Sequence, residues 1–146
     1  MYYIGIDLGT SAVKLLLMQG DGQIANIVSR EYPIAFPHPG WSEQNPADWW
    51  DAVCAGIPEL LNGFDASQVA GIGAGGQMHG LVILDSEDRV IRPAILWNDQ
   101  RTEKQCEEIT EAAGGLEELL KLTNNRMLTG YTGGKILWMK ENEPEN

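Results

Sequence analysis

Apolar and polar positions alternate from the start of the chain. Ile4, Ile6 and Leu8 fall on one side of an extended segment and Tyr3, Gly5 and Asp7 on the other. A turn at Leu8-Gly9-Thr10 follows, then the apolar run Ala12 to Met18. A second turn is marked by Asp21-Gly22, a pair favoured where the central residues take positive φ, and it leads into Ile24 to Tyr32. These segments predict a three-stranded antiparallel meander over residues 2–32. The next stretch carries Pro33, Pro37, Pro39 and Pro46 without any period and predicts a long loop. A helix is then predicted, with Asn45 as its cap, Pro46 at its first position and Asp48 in its first turn. Trp49, Trp50, Val53, Cys54, Ile57, Leu60 and Leu61 form its apolar stripe, the Trp pair is assigned to the core, and Pro58 predicts a kink or split.

Further along, Val69 to Ala74 reads as a strand, Gly75 to Gly80 as a Gly-bounded loop, Leu81 to Asp85 as a strand and Val90 to Trp97 as an extended stretch. From Gln100 the pattern is that of a solvated surface helix ended by Gly114-Gly115. A short helix follows over Leu116 to Leu122, then a polar loop to Gly134 and a last helix from Lys135. Opening strands followed by helices predict an α/β architecture in which the meander is extended by later strands.

A length of 146 residues predicts about one domain with a sizeable core. The net charge of −11 repels nucleic acid and anionic membranes, so neither is an expected partner. No apolar run reaches the roughly 18 residues of a membrane helix, and no basic leader precedes the first strand. Cys54 and Cys106 lack CxxC spacing and are read as free thiols in a reducing compartment, which predicts a cytoplasmic protein. His38 and His79 have no ligand-spaced neighbours, and no zinc site is expected.

Three segments could carry chemistry. In Asp7-Leu8-Gly9-Thr10-Ser11, Gly9 at positive φ and the N–H groups of Thr10 and Ser11 could cradle a phosphate, with Asp7 holding Mg²⁺. The plainer reading is a hairpin whose Asp caps its own turn. In the Gln77-Met78-His79-Gly80 segment, Gln77 and His79 could bond hydroxyls while Met78 packs on carbon; alternatively Met78 fills a core gap and His79 is a loop histidine. At Trp97-Asn98-Asp99-Gln100-Arg101 an indole beside polar groups suits a sugar, or Asp99 simply caps a helix with Arg101 on the surface. Lys14 and Lys135 are further phosphate candidates, although such a lysine is more often a solvated side chain.

Taken together, the segments carry a resemblance. Tyr3 to Lys14 resembles the first phosphate motif of the carbohydrate kinases related to glycerol kinase and, more distantly, to actin and Hsp70. His38-Pro39-Gly40-Trp41-Ser42-Glu43-Gln44, Gly76 to Gly80 and Arg92 to Arg101 are similar, in the same order, to xylulokinases within that family. The resemblance implies a ribonuclease H-like (actin-like ATPase) α/β domain, with residues 1–146 as the N-terminal part of the first of two such domains. It implies transfer of the γ-phosphoryl of ATP, with Mg²⁺, to a small ketose, D-xylulose above others.

Asp7 then matches the magnesium-linked aspartate; Gly9, Thr10, Ser11 and Lys14 the ATP-phosphate turn; and Gln77, Met78, His79, Trp97 and Asp99 the sugar-binding residues. A homodimer of the full-length enzyme is left open. The resemblance places the general base in a Gly-rich segment that has no counterpart here, so the chain reads as a truncated portion, inactive by itself. Gly133-Gly134 stands where Ala-Pro is common in xylulokinases and predicts a looser start to the last helix. Alternatives are a gluconokinase or ribulokinase relative, or a non-catalytic actin-like binding fragment.

Overall fold

A computed structural model describes residues 1–146, which divide into two compact units. The first comprises Met1–Ile34 and Asn45–Gln77, the second Ala35–Gln44 and Met78–Asn146.

The first unit holds the meander as expected. Strands β1 (Tyr2–Leu8), β2 (Ala12–Gln19) and β3 (Ile24–Glu31) pair antiparallel, with Asp7 opposite Lys14 and Leu8 opposite Val13. The Asp21-Gly22 turn forms with Gly22 at φ 89°. After a two-residue strand β4 (Glu43–Gln44), which belongs to the second unit, helix α1 spans Pro46–Leu60. The Asn45 side chain caps it by accepting from the Ala47 N–H at 3.1 Å. Strand β5 (Val69–Gly76) then pairs parallel to β1, giving the order β3-β2-β1-β5.

Period-two alternation puts Val13, Leu15 and Leu17 on one face of β2, all three fully buried. With Ile4, Val28, Tyr32, Val53 and Leu60 they form the core between sheet and helix. Each such aliphatic side chain contributes about 1.5–3 kcal/mol through burial. Two expectations for α1 change. Trp50 is exposed, and so is Cys54, because the stripe that meets the sheet runs through Trp49, Val53, Gly56, Ile57 and Leu60, and these two lie about 100° further round. Pro58 does not split the helix; it sits in the last turn, where its missing N–H costs one bond of the ladder.

In the second unit, β4 pairs antiparallel with β6 (Ala94–Ile95). The strand expected at Leu81–Asp85 reduces to isolated bridges, Leu81 to Ile95 and Leu84 to Val90, and of the Val90–Trp97 stretch only β6 is regular. Helices α2 (Glu103–Ala112), α3 (Leu116–Thr123) and α4 (Thr132–Asn142) follow. Helix α2 begins three residues later than the pattern predicts, since Arg101 and Thr102 form a turn first. Helix α4 begins three residues earlier and takes in Gly133-Gly134, where Gly134 packs against Thr102 and Cys106. A small core joins Ile95, Trp138 and Met139 with Trp41, Leu81 and Ile83. Both cysteines are free, and no helix is long and apolar enough to cross a membrane.

Candidate functional site

The β1–β2 turn gathers the residues expected to meet a phosphate. Asp7 is exposed near the end of β1, and Lys14 is its exposed cross-strand partner, so the two side chains stand on one sheet face. Thr10 and Ser11 lie at the apex, between the last residue of β1 and the first of β2.

Gly9 is needed for a different reason from the one expected. Its φ is not positive; its N–H donates to the Ala12 carbonyl at 3.0 Å, and a Cβ there would come within 3.0 Å of the same oxygen. Close approach, not handedness, selects glycine. The Gly9 N–H is thereby committed to closing the turn.

Tyr32, which motif reading missed, fastens this turn. Its phenol donates to the Gly9 carbonyl and its N–H to the Ser11 carbonyl at 3.2 Å. Burial, and secondarily the Asp7 carboxylate, raise the phenol above its ordinary value, so it stays a donor at neutral pH. Tyr32→Phe is expected to lower the stability of the first unit by about 0.5–1.5 kcal/mol. Urea unfolding, with amide exchange at Gly9 and Ser11, checks this; unchanged exchange there would contradict the fastening role. Gln77 joins the same end, since its N–H donates to the Leu8 carbonyl at 2.8 Å and it is the last residue of the first unit.

The sugar candidates Met78, His79, Trp97 and Asp99 belong to the second unit. Met78 and Trp97 are exposed, at 71% and 47%, and so present apolar surface outward. His79 adopts the left-handed conformation, φ 62°, which costs a non-glycine residue roughly 1–3 kcal/mol and persists only where its surroundings enforce it. Its ring lies 4.8 Å from that of Tyr131. Beside it a cavity of about 510 Å³, within the size range of small-molecule sites, is lined by Leu119, Arg126, Met127, Tyr131 and Thr132. Neither Met78 nor Trp97 is among its walls.

Asp99 departs from expectation. It is fully buried and both carboxylate oxygens are engaged: Oδ2 accepts from the Ser42 N–H at 2.7 Å and Arg101 Nη2 at 2.8 Å, Oδ1 from the Arg101 N–H and Nε, each at 2.9 Å. A group so saturated has no oxygen to offer a sugar, and its part is structural. Nor is Arg101 on the surface, as the helix-cap alternative had it. Its side chain is 1% exposed and lies 3.6 Å over the Trp41 ring; Nη1 makes no hydrogen bond, and the indole face stands in for an acceptor. Glu43 bridges Arg101, at 2.8 Å, to Arg92, which also pairs with Glu143.

Lys135 is neither solvated nor aimed at a phosphate. It is fully buried, and Nζ donates to the carbonyls of His79 and Gly130, each at 2.7 Å. Burial pulls its ammonium down to about 8, against the opposing pull of Asp99. No three metal-ligating side chains cluster anywhere, so an all-protein metal cage is absent. The lone exposed Asp7 carboxylate fits a Mg²⁺ that takes its remaining ligands from water and phosphate, the usual habit of that ion.

Residues 2–146 match the N-terminal domain of the FGGY family of carbohydrate kinases, and the chain belongs to that family. Within it, the chain is 48% identical to the xylulose kinase of Bacillus subtilis (strain 168), over 99% of its own length and 29% of the relative's. The crystal structure of a xyloylose kinase from Brucella ovis superposes with a TM-score of 0.92 at 39% identity, covering 99% of this chain and 30% of that one. A gluconate kinase from Lactobacillus acidophilus gives 0.89 at 30% identity, covering 99% of this chain and 29% of that one. The chain thus has the fold of the corresponding part of an actin-like sugar kinase and spans somewhat under a third of the relatives it matches.

Proposed function

We propose that the protein to which these residues contribute phosphorylates a ketose, D-xylulose above others, to the 5-phosphate with ATP and Mg²⁺, and that residues 1–146 are the N-terminal part of its first actin-like domain. The observation that carries this reading is the exposed Asp7 beside a turn held by Tyr32, in a chain whose sequence runs with xylulose kinases over nearly its whole length. The turn and Lys14 receive ATP phosphate oxygens; Asp7 holds Mg²⁺, which neutralises charge on the phosphates when bound. Met78 packs on sugar carbon, His79 bonds a hydroxyl and Trp97 offers an indole face. Asp99 serves the pocket only by fixing the backbone at Ser42 and Arg101. Phosphoryl transfer asks mainly for positioning and charge neutralisation, which suits so small a set of groups.

Calorimetric titration with D-xylulose and with MgATP tests it. In the full-length enzyme, His79→Ala is expected to weaken D-xylulose by about 1–3 kcal/mol, the cost of a lost hydrogen bond with its partner left unpaired, and MgATP far less. Unchanged D-xylulose binding with weakened MgATP would contradict the assignment. A gluconate-directed enzyme is the second reading, favoured by the likeness to the gluconate kinase structure, and D-gluconate in place of D-xylulose distinguishes the two.

A further inference from the structure

Lysine is seldom fully buried without a counter-ion, yet no salt bridge is formed by Lys135, which places its Nζ between two backbone carbonyls instead. The first, that of His79, also accepts from Thr132 Oγ1 at 3.2 Å, so two side chains of α4 hold the one residue of the loop that is in the left-handed region. The second belongs to Gly130, which lies so close to Trp97 that a Cβ there would stand 2.8 Å from the Trp97 carbonyl oxygen. Nζ thus connects the backbone of His79 with the backbone on which Trp97 rests. An uncharged amine still has two N–H groups for two acceptors, so the bridge survives loss of the proton.

We propose that Lys135 is a positioning residue for the sugar site: it locks His79 in its left-handed conformation and sets the spacing between the His79 and Trp97 segments. The proposal rests on the reading of those segments as sugar-binding. Lys135 touches no substrate in it and acts only through the backbone it bridges. Methionine at this position has similar length and no N–H, so it fills the space and removes the bridge alone.

The experiment uses the isotope-labelled 146-residue chain, with backbone chemical shifts of His79 as a reporter of its conformation and D-xylulose as the titrant. Lys135→Met is expected to remain folded, to move the His79 Cα and Cβ shifts out of the left-handed range, to leave the signals of β1 to β3 in place and to weaken D-xylulose at least tenfold. A folded Lys135→Met chain with left-handed His79 shifts and unchanged D-xylulose affinity would overturn the proposal and leave Lys135 as a packing residue. Should that variant fail to fold, Thr132→Val decides. It removes one donor from the same His79 carbonyl, and the proposal requires shifted His79 signals and several-fold weaker D-xylulose, while neither change overturns it. A wild-type chain that does not bind D-xylulose leaves the lock to be judged by the His79 shifts alone: left-handed shifts retained in Lys135→Met then overturn it, and shifts moved out of that range support it.

Discussion

Arg101→Met is expected to destabilise the second unit by about 3–5 kcal/mol, the range for removing one partner of a buried ion pair. The reason is Asp99, which has no exposure and keeps only the N–H groups of Ser42 and residue 101 once the guanidinium is gone. Glu43 retains Arg92, so the loss concentrates on Asp99, and the Trp41 ring loses the cation stacked over it. Adding Asp99→Asn removes the stranded charge and is expected to recover part of the loss, giving a double variant less destabilised than the sum of the two single ones. Urea unfolding followed by Trp fluorescence reads all four proteins. A loss under about 1 kcal/mol for Arg101→Met would show that the pair contributes no more than an exposed one.

The second large effect concerns turnover. The 146-residue chain by itself is expected to form ADP in response to ketose at least 10²–10⁴-fold more slowly than a complete kinase, the contribution of a general base, because the residue that family resemblance gives that role has no counterpart here. The deficit should exceed that figure, since on the proposed reading these residues reach ATP only at its phosphates, and two reactants left unoriented lose the advantage of proximity. Asp7→Ala serves as the control for contaminating kinase. Turnover near one per second that vanishes with Asp7→Ala would mean that a complete catalytic apparatus lies within these residues.

The meander and the placement of Asp7 were legible because period-two alternation and an Asp-Gly turn are local signals that the sheet obeys. Gly9 was legible as a requirement but not in its reason, since a close approach to Ala12 and a positive φ leave the same mark in a sequence. The roles of Asp99, Arg101 and Lys135 were not legible. Ser42 and Glu43 meet Asp99 and Arg101 across more than fifty residues, and Lys135 meets His79 across a similar gap, so no spacing within any one segment announces either arrangement. Charged residues read one at a time look solvated; only tertiary structure shows which of them are enclosed. Trp50 errs the other way, as an apolar residue beside the stripe that the sheet happens not to reach.

The most direct test of the central claim is a chimera in which this chain replaces the matching N-terminal segment of one of its xylulose kinase relatives. The purified, folded chimera is predicted to form ADP in response to D-xylulose, in preference to D-gluconate or D-ribulose, and to lose that activity with Asp7→Ala. A folded chimera without D-xylulose-dependent turnover, or one whose turnover survives Asp7→Ala, would contradict the assignment of the phosphate turn and sugar loops made here.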